Sequence, residues 1–291
     1  MKIKKLDKDT RVLIIGLGVI GGSYAYALTE AGFSVSCITK DPDDIDYAYD
    51  RNMIKYGTCA VEADLVSEAE LIIFALYPTV FEEWIKNNGH LITPGTLITD
   101  VSGVKSSIVY KIQDMLPDGV EFIAAHPMAG RESSGVEFSD PNVFIGANYI
   151  VTPTEKNTKE AIDVCCELGR ILGFARISEL SPEEHDKMIA FLSQLTHCIA
   201  VSLMNCNKTE GLEKYTGDSF RDLTRIARIN DRMWSELFCM NKDALLSEMD
   251  AFIEEFTAFR NLLADEDTEK MREKMRASTK RRAKFDKPKK K

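Results

Sequence analysis

Arg11-Val12-Leu13-Ile14-Ile15 runs directly into Gly16-Leu17-Gly18-Val19-Ile20-Gly21, and the reading of this junction decides the fold. The apolar run has the length and character of a strand buried on both faces of a parallel sheet. Ser23 to Ala31 follows with good helix formers and stops at Gly32, a suitable C-terminal cap, after which Ser34 to Ile38 predicts a second strand. Strand, glycine turn, helix and strand make one βαβ unit, with the spacing of a dinucleotide fingerprint. In that reading Gly16 permits the tight turn, Gly18 lets the backbone approach a pyrophosphate, and Gly21 lets helix and strand pack closely. Ile20 lies in the same turn and is counted with them as a cofactor contact. The first helical turn then offers its free N–H groups to the anion.

The alternation continues through Leu71 to Leu76, Thr96 to Val101, Glu121 to Ala125 and Tyr149 to Val151, with a helix from Thr158 to Ile171 and a last strand from Phe174 to Ile177. Repeated strand-then-helix order predicts a doubly wound parallel sheet, a Rossmann-type α/β domain over residues 1–180. The grammar changes at Ser181-Pro182-Glu183-Glu184, where a serine cap, a proline at the first helical position and a glutamate three residues after the cap coincide. An all-α domain is expected from there to residue 279. One long helix in it carries Leu245, Leu246, Met249, Phe252, Ile253, Phe256, Phe259, Leu262 and Leu263 as a wide apolar stripe. Such a stripe is core or a subunit interface, and its aromatic content in so small a domain favours a homodimer. Residues 280–291 read as a basic, solvated, disordered tail, with an anionic partner as the alternative.

With 291 residues, 44% hydrophobic and 29% charged, the chain has an ordinary globular composition. Its net charge of -9 excludes a general nucleic-acid binder, which needs clustered positive charge. No signal-peptide core opens the chain, and no apolar run approaches the roughly 18 residues that span a bilayer, so no membrane association and a cytoplasmic location are expected. The seven cysteines form no C-x-x-C pair and none has zinc-ligand spacing; they are expected to be reduced and mostly buried, with no metal bound.

An NAD-binding strand ends in a carboxylate that holds the ribose 2′-hydroxyl. Here the strand end reads Ile38-Thr39-Lys40-Asp41. Thr39 and Lys40 can bind a 2′-phosphate, which favours NADP within an NAD(P) assignment, while Asp41 or Asp43 swinging in is the alternative.

Three further runs give the sequence its resemblance: Asp100-Val101-Ser102-Gly103-Val104-Lys105, His126-Pro127-Met128-Ala129-Gly130, and Phe220-Arg221-Asp222-Leu223-Thr224-Arg225-Ile226-Ala227. With the glycine motif, His185-Asp186 and Ser193-Gln194-Leu195-Thr196-His197, the chain resembles the prephenate and arogenate dehydrogenase family over nearly its whole length. The resemblance implies a small-molecule substrate and oxidative decarboxylation of a cyclohexadienol to 4-hydroxyphenylpyruvate or tyrosine. It makes His126, on a loop after the nucleotide fingerprint, the catalytic partner or base of the ring hydroxyl, work for which a near-neutral pKa suits histidine. Arg225 is similar to the family's substrate-binding arginine, able to grip a carboxylate through two hydrogen bonds. Its alternative is an intrahelical pair with Asp222, and Ser219 or Asp218 is expected to cap that helix. His197 matches a histidine beside the substrate, with Gln194 and Trp234 as further substrate contacts. His185 lies about 120° from His197 on an ideal helix and reads as structural or interdomain.

Two departures from the family pattern stand out. Gly103 occupies the place of the family's serine, so that Ser102 from a shifted backbone supplies the hydroxyl beside the catalytic histidine, or it is missing. Gln194 replaces a histidine of many members, and the run Ser193 to His197 has no carboxylate for the ammonium of arogenate, which favours prephenate. Arogenate dehydrogenase, a two-domain hydroxyacid or imine reductase, and a non-catalytic NAD(P)-sensing interaction module remain as rival readings.

Overall fold

A computed structural model describes residues 2–3, 5–130 and 133–286. Six strands, β1 (Arg11–Ile15), β2 (Ser34–Ile38), β3 (Tyr56–Thr58), β4 (Leu71–Phe74), β5 (Leu97–Asp100) and β6 (Glu121–Phe122), form one sheet in the order β3-β2-β1-β4-β5-β6. Every pairing in it is parallel. Helices α1 (Val19–Glu30), α2 (Pro42–Asp50), α3 (Ala63–Glu68), α4 (Pro78–Asn88) and α5 (Val109–Met115) make the crossovers. Successive residues of a strand face opposite sides. Accordingly Val12 and Ile14 enter one buried apolar cluster while Leu13 and Ile15 enter the other, so the sheet is covered on both faces. The short edge strand β3 escapes the sequence pattern because its Tyr-Gly-Thr has no apolar run to mark it.

The strands beyond β6 depart from expectation. β7 (Ala124–Met128), β8 (Asn148–Thr152) and β9 (Arg176–Glu179) form a separate sheet, antiparallel between β7 and β8 and parallel between β8 and β9. His126 is therefore a strand residue opposite Ile150 and not a loop residue. The cause is visible at Asp100, the last residue of β5. The Ile123 amide still donates to the Ile98 carbonyl, but the Ala125 amide donates to the Asp100 side chain, at 3.1 Å, and the chain peels off to pair with β8. Helix α6 (Lys159–Ile171), capped by Thr158, covers this region.

From Ser181 the chain is helical among the described residues: α7 (Pro182–Ile189), a π-helical turn (Ala190–Leu195), α8 (Thr196–Cys206), α9 (Asp218–Thr224), α10 (Asp231–Met240), α11 (Lys242–Ala264) and α12 (Thr268–Arg282). Ser181 and Glu184 form the full capping box that the sequence announces. α9 starts instead after Gly217 with no side-chain cap, because Asp218 pairs with Arg221 at 2.8 Å.

The helical run Pro182–Cys206 spans 25 residues and contains an 18-residue window of mean hydropathy 1.4, so among the described residues one helix does have the length and composition to cross a bilayer, contrary to expectation. It carries buried His185, Asp186 and Gln194, all hydrogen-bonded to protein, groups that are costly in hydrocarbon. Cys37, Cys165 and Cys166 are buried, but Cys59, Cys206 and Cys239 are exposed.

The chain folds as two compact units, Met1–Lys242 and Asp243–Lys291. In the second, α11 leaves Leu246, Phe252, Ile253, Phe256 and Leu263 exposed. α12 continues to Arg282, helical where a disordered tail was expected, with basic residues in its last turn that complement the helix dipole. The rest of that tail, 287–291, lies outside the described residues.

Candidate active site

The dinucleotide cradle is built from backbone. Gly16 has φ +96°, and a Cβ there would stand 2.5 Å from the Ala75 carbonyl oxygen at the end of β4, so only glycine fits this turn. A Cβ on Gly21 would stand 2.0 Å from the Gly16 carbonyl oxygen. Gly18 is different: no described atom lies within 4 Å of where its Cβ would be, and it precedes α1 without a side-chain cap, so the first N–H groups of that helix face outward beside it. Ile20 is half-buried against the core below. These residues fit a dinucleotide, at the point where the strand order reverses between β1 and β4.

The ribose end differs from the sequence reading. Thr39 is buried and lies close enough to Asp44, a residue of α2 that sequence spacing did not single out, to influence its carboxyl. Asp41 caps α2 by accepting from the Asp43 amide. Burial, with Asp41 and Glu137 nearby, raises the Asp44 pKa, while Thr39 and Lys40 oppose the rise. Asp41, Asp44 and Glu137 thus make up the acidic surroundings of Thr39 and exposed Lys40.

Behind the cradle lies a buried polar cluster. The Lys105 Nζ, fully buried, donates to both Asp100 carboxylate oxygens at 2.8 Å and to the Ala125 carbonyl at 2.6 Å. Burial lowers the Lys105 pKa and Asp100 opposes it. Since Asp100 also accepts the Ala125 amide, this ion pair grips both backbone groups of the residue before His126. The Ser102 hydroxyl belongs here too, against the Asp100 carboxylate and 3.0 Å from the Val104 carbonyl. This corrects the expectation that Ser102 serves His126. The position that faces His126 is Gly103, where a Cβ would stand 3.9 Å from His126 Nε2 and 3.5 Å from Leu237 Cδ1.

His126 Nδ1 lies 2.9 Å from His185 Nε2, and His185 Nδ1 lies 2.8 Å from Asp186 Oδ1. Burial, then the charges of His185 and Lys105, hold the His126 pKa well below 6.5, so the ring stays neutral at neutral pH. Burial also lowers His185, with Asp186 opposing. The sequence contained His185-Asp186, but an unbroken 3.6-residue period turned that pair away from His197. The π turn between them, which no sequence signal marks, changes the phase.

Gln194 is a second correction. Its Nε2 donates to the Leu237 carbonyl at 3.0 Å and its Oε1 accepts from Asn241 at 2.7 Å, so the buried amide joins α10 to the π turn and is spent on packing. α10 in turn carries two neighbours of the site on one face, three residues apart. Leu237 leans toward Gly103 and His126, while Trp234 packs on His197 with ring centroids 3.7 Å apart. α10 is also tied to the start of α4, where Glu236 accepts the Thr79 amide at 2.7 Å and Asn230 donates to the Tyr77 hydroxyl at 3.1 Å. Arg225 is exposed on a one-turn helix, Arg225–Ala227, that packs against α8, the helix of His197.

Comparison with known proteins matches these parts. The family model described as prephenate dehydrogenase, nucleotide-binding domain, matches residues 24–174, and that of the prephenate dehydrogenase dimerization domain matches residues 181–277. The chain belongs to the prephenate dehydrogenase family. A prephenate dehydrogenase of Bacillus subtilis is 33% identical over 91% of this chain and 72% of its own length. A cyclohexadienyl dehydrogenase of Zymomonas mobilis is 30% identical over 93% of this chain and 94% of its own. The crystal structure of prephenate dehydrogenase from A. aeolicus in complex with hydroxyphenyl propionate and NAD+ superposes with a TM-score of 0.89, at 28% identity, over 97% of this chain and all of that one. The chain is therefore an NAD(P)-dependent oxidoreductase of tyrosine biosynthesis, with a Rossmann domain ahead of its helical region.

Proposed function

We propose that the chain catalyses the oxidative decarboxylation of prephenate to 4-hydroxyphenylpyruvate, with NAD as the hydride acceptor. The observation that carries this reading is His126, a neutral ring whose Nδ1 is engaged by His185 and whose Nε2 lies beside side-chain-free Gly103. The substrate's ring hydroxyl gives its proton to that Nε2. A dinucleotide held by the turn of Gly16, Gly18 and Gly21 would supply the acceptor for the hydride on the carbon that bears the hydroxyl. Loss of the ring carboxylate as carbon dioxide then aromatises the ring, which makes the step irreversible. Arg225 is assigned to a substrate carboxylate, through the paired hydrogen bonds that a guanidinium makes. His197, stiffened by its stacking on Trp234, is assigned to the substrate beside it.

Prephenate is preferred to arogenate because the ammonium of arogenate calls for a carboxylate in the side-chain pocket. Ser193 to His197 has none, while Asp186 is held by His185 and two backbone amides, and Glu236 by the Thr79 amide. The likeness to the prephenate dehydrogenase of Bacillus subtilis supports the same choice. Steady-state kinetics with the two substrates test it: kcat/KM is expected to be at least about tenfold higher for prephenate, about 1.4 kcal/mol of discrimination. A higher value for arogenate overturns the choice.

NAD is proposed over NADP because a 2′-phosphate would meet Asp41, Asp44 and Glu137 with Lys40 as the opposing cation. Asp44→Asn removes one of these charges and is expected to raise kcat/KM for NADP by about tenfold, the scale of one half-screened charge, with NAD use little changed. Saturation curves with both dinucleotides measure this, and an unaltered NADP value counts against the assignment.

The working unit is proposed to be a homodimer. A dimerization-domain match and the exposed apolar stripe of α11 support it. Light scattering is expected to give twice the mass of one chain, and Phe256→Asp, which buries a charge in such an interface, to give that of a single chain. A monomeric wild type contradicts the proposal.

A further inference from the structure

The groups behind His126 form a chain with one consistent assignment of protons. Asp186 receives three donors: its Oδ1 accepts the Lys105 amide at 2.8 Å and faces His185 Nδ1 at 2.8 Å, and its Oδ2 accepts the Ser106 amide at 2.8 Å. Burial alone would raise its pKa, but the His185 hydrogen bond and charge, with the amides of Ser106 and Lys105, together hold the carboxyl below the usual range. An ionised carboxylate only accepts, so His185 carries its proton on Nδ1. A neutral imidazole has one N–H, which leaves His185 Nε2 as an acceptor. His126 Nδ1, 2.9 Å away, must then be the donor of that bond. What remains on His126 is an unprotonated Nε2, the nitrogen beside Gly103.

We propose that Asp186, acting through His185, holds His126 in the tautomer with its proton on Nδ1, so that the Nε2 lone pair is the one offered to substrate. His185 and Asp186 are positioning residues in this arrangement. They also prepare the site for the charge it must carry. When His126 Nε2 takes the hydroxyl proton, the ring becomes an imidazolium whose Nδ1–H still points at His185 Nε2. That proton can pass on to His185, whose positive charge then lies against Asp186, and it returns when His126 gives up the proton it gained. No other reactant is needed.

The arrangement explains why the Asp186 carboxylate is anchored by backbone. Two amides fix it whatever its neighbours do, so the direction of the chain of bonds starts from the aspartate. Asp186→Ala removes the acceptor that fixes that direction. Asparagine would not, because the Lys105 amide bonds to the same Oδ1 that faces His185 while the Ser106 amide bonds to Oδ2, so an amide oxygen kept at the Oδ1 place preserves the His185 bond. With no acceptor at its Nδ1, His185 can carry its proton on Nε2 and donate it to His126 Nδ1, and His126 in that state has Nε2 protonated and is unable to act as a base. A wrong tautomer costs about 10⁴ in kcat in serine-protease triads.

The inference rests on the assignment of His126 as proton acceptor, but its test does not need turnover. The chain has four histidines, His90, His126, His185 and His197, so nitrogen-15 spectra of histidine-labelled protein are simple, and loss of a signal set in His126→Asn identifies that ring. At neutral pH the wild type is expected to show His126 protonated on Nδ1. Asp186→Ala is expected to show a share of it protonated on Nε2, with kcat lowered about tenfold or more and KM for substrate little changed. A wild-type His126 protonated on Nε2 overturns the proposal without any variant. So does a folded Asp186→Ala variant whose His126 keeps its proton wholly on Nδ1. A wild type with the expected tautomer but no turnover on either substrate would instead refute the functional reading and leave the tautomer control standing.

Discussion

His126→Asn is expected to lower kcat by about 100- to 10,000-fold, the range that a positioned general base contributes, while dinucleotide affinity stays at the wild-type value. Asparagine is smaller than histidine and keeps a polar group near Nδ1 that can still bond to His185, so the fold survives. It has no nitrogen that can take a proton at neutral pH. The cradle at Gly16, Gly18 and Gly21 is formed by a separate turn, after β1, and does not use the His126 side chain. Steady-state kinetics together with calorimetric titration of the dinucleotide separate the two effects. Loss of dinucleotide binding along with turnover would mean that His126 holds the structure together and is not the base.

Lys105→Met is expected to destabilise the chain by about 3–5 kcal/mol, the cost of leaving a buried charge without its partner. The Asp100 carboxylate would keep its Ala125 and Ser102 amide donors but lose the ammonium that neutralises it. Asp100 would also no longer share Lys105 as a clamp on the Ala125 carbonyl, so β7 loosens where His126 begins. Denaturant unfolding measures the loss as a shift in midpoint. A change below about 1 kcal/mol would show that the pair is not the anchor described here. Turnover of the surviving folded fraction should fall as well, because a small misplacement of the base is enough to cost rate.

How much of this was readable from sequence differs by element. The βαβ unit and the roles of Gly16 and Gly21 were readable because they depend on local backbone, and a glycine is needed wherever a Cβ would strike a carbonyl. The capping box at Ser181 was readable for the same reason. The second sheet was not. Tyr149 to Val151 is apolar in either sheet, and only the Asp100 side chain, which replaces a backbone acceptor for Ala125, decides that the strand leaves. Long-range side-chain pairing of this kind carries no period.

The site divides in the same way. His126 stood out by its motif, yet its partners His185 and Asp186 come from α7, some 60 residues on, through a side-chain pairing that carries no period. Ser102 and Gln194 were chosen by residue type, since a hydroxyl and an amide look free in sequence. In the fold both are consumed by buried neighbours, Ser102 by Asp100 and Gln194 by Asn241 and the Leu237 carbonyl. Asp44 was passed over because it lies a helical turn beyond the strand end where a ribose-binding carboxylate is usually sought, and only the packing of α2 brings it to Thr39.

The proposed reaction is tested most directly by its stoichiometry. Purified chain is mixed with prephenate and NAD, and reduced nicotinamide and carbon dioxide are followed together. Both are expected to appear in equal amounts, with 4-hydroxyphenylpyruvate as the organic product. Reduced nicotinamide without carbon dioxide, or no reduction with prephenate or arogenate and either dinucleotide, would contradict oxidative decarboxylation at this site.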